Sequence, residues 1–484
     1  MVPGPVLAAA HVDVRRRLGQ LGLVLLAGAV VAGGAVAWRT EAVARQAGPA
    51  GRTAVGAPAT PVLSVRRVPS VVVAPVAERR LRRDLGDVTA LLPADSCLVV
   101  DGPAGRVEHR ADAPMVPASA QKLLLATAAW DVLGPDHRFR TAAVATGPVV
   151  DGELRGDLVL VGGGDPLLAT ADYVERFRRQ PQLFTPLTDL ADALAAAGLR
   201  RVSGSIVGDD GRYDGEQYVA GWPPRYRDQN AVGPLSALSV NDGFARYPTS
   251  AAPSVALEPA ADPAQAAAAA LDGALEARGV AVGASPRSGT APADAVELAA
   301  IESAPLEAVL AQLLLESDNN TAELLLKELG RAEGGEASTA GGAAVVSRVV
   351  GGGATVRDGS GLSLDNQVSC GLLVDLLDRP RSGPVLVDRL PVAGRSGTLD
   401  RRFAATPLEG ALRAKTGSLN TVAALAGVVD DGDPPLRFAL VVNVDAPARV
   451  PAAVAALQQA VGEVLVGWPR VPDLRAVGPQ DGAG

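Results

Sequence analysis

Histidine is scarce in this chain of 484 residues, and its scarcity excludes several kinds of catalytic site. No two of the three histidines have the spacing of zinc ligands. His11 lies in a segment that we expect in the cytoplasm, so a Ser-His-Asp triad would depend on His109 or His137. We expect those two at the surface or at strand ends. No G-x-S-x-G sequence, the nucleophile turn of α/β-hydrolases, occurs either.

Cysteine is equally rare, so the chain is not a disulfide scaffold. Cys97 and Cys370 either pair on the outer side of a membrane or both fill the core as small residues. We favour the core because Cys97 lies in an apolar, strand-like run. An excess of basic charge is also missing. The formal net charge of -8 argues against a nucleic-acid partner.

Lysine is replaced almost everywhere by arginine. Of the 45 basic residues, only Lys122, Lys327 and Lys415 are lysines. Lysine differs from arginine in that it loses its proton when it is buried. Two of the three lysines fall in the motifs described below, which favours a chemical role, although a biased genome also leaves a few lysines anywhere.

The N-terminus carries a membrane signal. Three arginines at positions 15–17 precede an apolar run of 21 residues, 18–38, about the length that spans a bilayer. Arginines on this side predict a cytoplasmic N-terminus and an exported body in the cell envelope. Ala35-Val36-Ala37 resembles a signal-peptidase site, so residues 1–38 are an anchor, which we favour, or a cleaved signal peptide. An Ala/Pro-rich linker is expected at 39–80.

The body reads as a discontinuous domain at 81–146 and 296–468, with a strand-rich insert at 147–295 and a tail at 469–484. Apolar runs predict strands at 98–101 and 107–110, and three more at 411–416, 422–429 and 438–444. The last two of these are expected to form a hairpin. Helical patterns end the domain and flank Ser317.

The first motif is Ser119-Ala120-Gln121-Lys122, just after Pro117 and before an apolar run of good helix formers. We expect Ser119 at a helix N-terminus, where the peptide dipoles favour an oxyanion. Residues three apart share a helix face, so the Lys122 amine reaches the Ser119 hydroxyl. On its own this pattern is more often a capping serine beside a surface lysine.

The second motif is Ser317-Asp318-Asn319, between two predicted helices. A second hydroxyl, on Ser317, is suited to pass a proton to a leaving amine, and the Asn319 amide is suited to hold a substrate amide and Lys122. Taken alone, these three residue types are also typical of a helix N-cap.

The third motif is Lys415-Thr416-Gly417 at the end of a strand. Lys415 offers a positive charge, Thr416 a hydroxyl for a substrate carboxylate, and Gly417 room for a close backbone approach. The N–H of Ser418 is placed to join that of Ser119 in an oxyanion hole.

The three motifs in this order form a recognised serine acyl-transfer set. The chain resembles the class C, low-molecular-mass penicillin-binding proteins, the D-alanyl-D-alanine carboxypeptidase/endopeptidases of the peptidase S13 type. The long gap between the first two motifs agrees with the inserted region of that family. Further matching segments are Leu133-Gly134-Pro135-Asp136-His137-Arg138-Phe139, Gly221-Trp222-Pro223, Asp358-Gly359-Ser360-Gly361-Leu362-Ser363, Gly397-Thr398-Leu399 and Ala414-Lys415-Thr416-Gly417-Ser418-Leu419.

The resemblance implies an α+β fold of the serine β-lactamase/penicillin-binding-protein type, an antiparallel sheet flanked by helices. It implies peptidoglycan stem peptides as substrates and β-lactam antibiotics as inhibitors. Ser119, Lys122 and Ser317 would be catalytic, while Asn319, Lys415, Thr416, Gly417 and Ser418 would bind substrate. We expect burial and the nearby Lys415 to lower the pKa of Lys122.

We expect neither a metal nor an organic cofactor. The alternatives are a β-lactamase-like or esterase hydrolase, and a penicillin-sensing or wall-binding protein with slow turnover. The balance between carboxypeptidase and endopeptidase activity stays open.

Overall fold

A computed structural model describes residues 70–103, 105–430, 435–444 and 450–468. The strands in these residues are β1 (Ser96–Gly102), β2 (Gly105–His109), β3 (Arg140–Ala145), β4 (Val149–Val150), β5 (Glu153–Leu154), β6 (Leu158–Val161), β7 (Leu168–Ala169), β8 (Thr185–Pro186), β9 (Arg201–Asp209), β10 (Phe244–Arg246), β11 (Glu258–Pro259), β12 (Ala281–Ser288), β13 (Val296–Glu302), β14 (Leu412–Leu419), β15 (Val422–Val429) and β16 (Leu436–Asn443).

The helices in the same residues are α1 (Ser70–Thr89), α2 (Gln121–Leu133), α3 (Ala171–Glu175), α4 (Leu187–Ala196), α5 (Arg225–Asp228), α6 (Pro263–Glu276), α7 (Leu306–Glu316), α8 (Asn319–Ala332), α9 (Thr339–Val350), α10 (Cys370–Asp378), α11 (Gly383–Asp388) and α12 (Val450–Val466). The predicted membrane segment at 18–38 lies outside the described residues. Among the helices that are described, none combines the length and the hydropathy that crossing a bilayer requires.

A five-stranded antiparallel sheet forms the centre of the part of the chain that carries the three motifs, in the order β14-β15-β16-β1-β2. Every residue of β15 is buried, because helices cover both faces of the sheet. Period-two alternation sends Ala439 and Val441 of β16 to one apolar core and Leu440 and Val442 to the other. The predicted strands and the β15–β16 hairpin are therefore confirmed.

The two cores are built by different helices. The first core contains α2, α7, α8 and α10, including the fully buried Leu123, Leu124 and Leu125. The second contains the side of the sheet that packs on α1 and α12. Since α2 follows Ser119 directly, burial of its leucines fixes the position of that serine against the sheet.

A second, mixed sheet in the order β13-β3-β6-β9-β5-β4, with β12 also paired to β9, forms the inserted part. Its first and last strands along the chain, β3 and β13, pair with each other, so the sheet spans the chain from Arg140 to Glu302. These limits lie outside the expected insert of residues 147–295.

Two expectations are wrong. The expected linker does not extend to residue 80, because α1 already begins at Ser70 and packs Leu81 and Leu85 into the second core. The favoured interpretation of two unpaired core cysteines is also wrong. Cys97 on β1 and Cys370 at the start of α10 are both buried and form a disulfide, because the fold brings their Cα atoms to 5.9 Å.

Candidate active site

Ser119 lies in a single 3-10 turn, Ala118–Ala120, that leads directly into α2. The turn is held closely from two sides. A Cβ at Gly361 would lie 1.9 Å from the carbonyl oxygen of Ala118, and one at Gly417 would lie 2.6 Å from that of Pro117. Both glycines are therefore required by close backbone approach, as the sequence predicted for Gly417.

The amine of Lys122 is buried, with three oxygen atoms around it. Its Nζ donates to Asn319 Oδ1 at 2.8 Å, to the carbonyl of Ser360 at 2.7 Å and to Ser119 Oγ at 3.1 Å. An ammonium group fills these positions with its three N–H bonds. A neutral amine keeps two of them and turns its lone pair to the Ser119 hydroxyl, which is the geometry of a general base.

Burial lowers the pKa of Lys122 to about 8, because the charged form loses its hydration. The charges that act on it are the carboxylates of Asp318, Glu323 and Asp358, which raise the pKa and oppose the effect of burial. Burial and the charge of Lys122 lower the pKa of Lys415 well below its usual value. Burial is the largest cause that lowers the pKa of Lys122.

Ser317 faces the second lysine. Lys415 Nζ donates to Ser317 Oγ at 2.8 Å and to the carbonyl of Thr416 at 3.0 Å. Ser317 ends α7 in the left-handed region, with φ 61°, which is uncommon for a serine. This turn separates α7 from α8 and lets one short segment supply a hydroxyl to Lys415 and an amide to Lys122.

The Asn319 side chain is fixed by the inserted part of the chain. Its Nδ2 donates to the carbonyl of Ala231 at 2.7 Å, so its Oδ1 must face Lys122. The next residue, Asn320, accepts from the N–H of Gly233 at 2.9 Å and donates to the carbonyl of Gly233 at 3.3 Å. Asn320, which sequence reasoning missed, thus ties the same loop to the start of α8.

Thr416 and Ser418 are the residues directly before and after Gly417 in β14. The hydroxyl of Thr416 donates to that of Thr398 at 2.8 Å, and Thr398 belongs to the 3-10 turn Gly397–Leu399. Ser418 is exposed and pairs with Ala423 of β15. All eight predicted site residues therefore lie where β14, the Ser119 turn and the α7–α8 junction meet.

Three further side chains, Glu323, Asp358 and Trp222, support the site through hydrogen bonds, and Glu323 belongs to none of the segments quoted from the sequence. Glu323, one turn after Asn319 on α8, accepts from the N–H groups of Gly359 at 3.1 Å and Ser360 at 2.7 Å. Burial, with the charge of Asp358 as a second cause, raises the pKa of Glu323 to about 8. Glu323 and Asp358 together hold the turn that contains Ser360, and the carbonyl of Ser360 accepts a hydrogen bond from Lys122.

Asp358 connects this turn to the insert. Its carboxylate accepts from the N–H groups of Gly361 at 2.9 Å and Ser363 at 2.6 Å, and from Trp222 Nε1 at 2.8 Å. Glycines 359 and 361 marked the segment as a turn in the sequence, but no local signal linked it to Glu323 or Trp222. Within the described residues, no group of three or more His, Cys, Asp or Glu is placed to hold a metal ion.

Comparison with known proteins identifies a family. The D-Ala-D-Ala carboxypeptidase 3 (S13) family model matches residues 100–254 and 246–461. A D-alanyl-D-alanine carboxypeptidase from an Actinomadura species is 31% identical over 428 residues, covering 72% of this chain and 77% of the relative. A carboxypeptidase from Mycobacterium tuberculosis is 33% identical over 425 residues, covering 81% of this chain and 87% of the relative.

The fold also has a solved counterpart. Penicillin binding protein 4 from Haemophilus influenzae is similar with a TM-score of 0.63 and 21% sequence identity. The alignment covers 79% of this chain and 99% of that one. The two proteins therefore share the α+β fold that the sequence predicted.

Proposed function

The chain belongs to the D-Ala-D-Ala carboxypeptidase 3 (S13) family, and we propose that, as a serine DD-peptidase acting on peptidoglycan, it forms its acyl-enzyme on Ser119. The scissile bonds are those at D-Ala-D-Ala ends or D-Ala-diaminopimelate cross-links of the stem peptides. The observation that carries the proposal is the buried Lys122 amine, 3.1 Å from Ser119 Oγ, with its pKa lowered to about 8.

Acylation begins with a proton transfer. Neutral Lys122 takes the hydroxyl proton of Ser119 as Oγ attacks the carbonyl carbon of the penultimate D-Ala. The electron pair of the carbonyl moves to its oxygen, where the N–H groups of Ser119 and Ser418 stabilise the oxyanion. Asn319 and Ser360 keep the Lys122 nitrogen in place during this step, since they bind its other two N–H bonds.

The leaving group departs on the Ser317 side. The C–N bond breaks, and the proton held by Lys122 passes through the Ser317 hydroxyl to the leaving nitrogen. Lys415, 2.8 Å from Ser317 Oγ, orients that hydroxyl. Lys415 and Thr416 bind the carboxylate of the departing D-amino acid, which lies beside the leaving nitrogen.

Hydrolysis completes the cycle. Water attacks the ester carbonyl, its proton returns through Lys122 to Ser119 Oγ, and the shortened peptide leaves. A β-lactam acylates Ser119 by the same attack. Its ring nitrogen is the leaving group, and this nitrogen remains joined to the acyl group through the rest of the opened molecule. The solved relative is named as a penicillin-binding protein, which supports this part of the proposal.

The reaction takes place in the cell envelope, where peptidoglycan lies. Residues 18–38 serve either to anchor the protein in the membrane or to direct its export before cleavage. The Cys97–Cys370 disulfide supports export, because disulfides persist in oxidising compartments and are rare in the cytosol. A C-terminal reporter that works only in the cytoplasm, if active in intact cells, would overturn this topology.

Two measurements on the purified protein test the activity. The first is steady-state release of D-Ala from a peptidoglycan pentapeptide, and the second is mass spectrometry after penicillin treatment, which locates the adduct. We expect turnover and an adduct on Ser119, both lost in a folded Ser119→Ala variant. An adduct without turnover would make the protein a penicillin sensor. Hydrolysis of the β-lactam without D-Ala release would make it a β-lactamase.

A further inference from the structure

An arm of the insert, residues 171–184, connects β7 and β8, which pair with each other in a small sheet of their own, and it contacts α7. It is fixed at both ends. Near its start, the hydroxyl of Tyr173 donates to Asp242 Oδ2 at 2.6 Å. Near its end, Leu183 exchanges two hydrogen bonds with the Gln312 side chain on α7, of 2.9 and 2.7 Å. The arm is therefore held in one position on the catalytic part.

The arm also lies beside the second motif. A cavity of about 210 Å³ separates the two, with Phe177 and Phe184 of the arm on one side and Asp318 and Thr321 of α8 on the other. Arg178 and Arg179 form the tip of the arm, and neither of them lines this cavity.

The tip joins two loops of the site. Arg179 forms an ion pair with Glu316, the residue before Ser317, and its Nε lies 3.4 Å from Asp400 Oδ2. Arg178 donates to the same carboxylate oxygen of Asp400 at 2.6 Å. Burial alone would raise the pKa of Asp400, but Arg178 and Arg179 hold it below its usual value.

Asp400 directly follows the Gly397–Leu399 turn that contacts Thr416. That turn is packed tightly on α7, since a Cβ at Gly397 would lie 2.6 Å from the carbonyl oxygen of Leu315. The leaving D-amino acid lies between Ser317 and Thr416. Of the two acids bridged by the arm, Glu316 precedes Ser317 and Asp400 is two residues after Thr398, whose hydroxyl accepts from Thr416, so a larger leaving group would meet the arm.

We infer that the arm closes the leaving-group end of the cleft and makes the protein select a single D-Ala as leaving group over a D-amino acid that continues into a second stem peptide. The inference rests on the proposed function, and it decides the balance between the two activities in favour of the carboxypeptidase. Arg178 and Arg179 are then specificity-determining residues, because they fix the tip.

The first test needs no variant. The full-length protein is given acyl-D-Ala-X peptides in which X is D-Ala, D-norleucine or a diaminopimelate residue of a cross-linked dimer. We expect kcat/KM to fall by at least about tenfold from D-Ala to the dimer, the order that one pocket contact contributes to discrimination. Equal values for the two would overturn the inference.

The second test removes the two arginine side chains that fix the tip of the arm. The double variant Arg178→Ala/Arg179→Ala should raise the dimer-to-pentapeptide ratio of kcat/KM by about tenfold, with penicillin acylation unchanged. Arg278→Ala, which removes an exposed ion pair with Asp192 on the insert, is the matched control and should leave the ratio unchanged. An unchanged ratio in the double variant, or an equal rise in the control, would contradict the inference. Failure of the parent protein both to hydrolyse the pentapeptide and to react with penicillin would instead refute the proposed function.

Discussion

Glu323 and Ser360 are joined by a 2.7 Å hydrogen bond from the N–H of Ser360 to the carboxylate of Glu323. The carbonyl of the same serine accepts from Lys122, so a buried acid on α8 positions an acceptor of the Lys122 amine. The contact joins residues that are 37 positions apart in the sequence.

Glu323→Gln tests this positioning role. The N–H of Gly359 lies 3.1 Å from both carboxylate oxygens, so the NH2 group of a glutamine would face that N–H, donor against donor, and weaken the buried contact by about 1–3 kcal/mol. We expect a lower free energy of unfolding by urea denaturation and slower penicillin acylation. Glu333→Gln, which changes the acid of an exposed ion pair at the end of α8, is the control and should change neither. Parent-like acylation in Glu323→Gln would exclude the role.

The pH dependence of acylation tests the state of Lys122. The base must be neutral, and its folded pKa is lowered to about 8, so the active fraction grows as the pH rises through 8. We expect the second-order rate constant with penicillin to increase about tenfold between pH 7 and pH 9 and then to level off. Stopped-flow measurement from pH 6 to 10 gives the midpoint. A flat profile would mean that another group takes the proton.

Arginine substitutions separate the two lysines of the site. Lys122→Arg installs a group that keeps its proton at working pH, so acylation should fall by about 10²–10⁴-fold. Lys415→Arg keeps a positive charge near Ser317 and Thr416 and should retain measurably more acylation, with its main loss in handling the substrate carboxylate. The comparison uses penicillin acylation rates of variants with equal unfolding midpoints. If Lys122→Arg acylates as fast as the parent, Lys122 is not the base.

The disulfide should contribute to stability rather than to chemistry. Cys97 and Cys370 close a loop with a sequence separation of 273, and a native disulfide typically contributes about 2–4 kcal/mol. Cys97→Ala/Cys370→Ala should therefore unfold at a lower guanidinium concentration than the oxidised parent, while penicillin acylation at 25 °C persists. Identical unfolding midpoints for the oxidised parent and the double variant would show that the bridge adds nothing.

Much of the fold was predictable because its signals are local. A continuous apolar run in β16 and a fully apolar β15 predict a hairpin buried in a sheet, and the run after Ser119 predicts a buried helix. The three motifs were also readable, because each brings its residue types together within four positions. The order of these motifs pointed to the family that the comparisons identify.

The order of the amino acids was sufficient to predict the three motifs, the fold that carries them and the chemistry that Ser119 and Lys122 are suited to. The pairing of Cys97 with Cys370, the hydrogen bond from Trp222 to Asp358 and the bridge from Arg179 to Glu316 and Asp400 became visible in the folded chain alone. These contacts join residues from distant parts of the chain. Helical and strand periodicity reports only which face of an element is buried, and the packing of whole elements sets which distant side chains meet on that face.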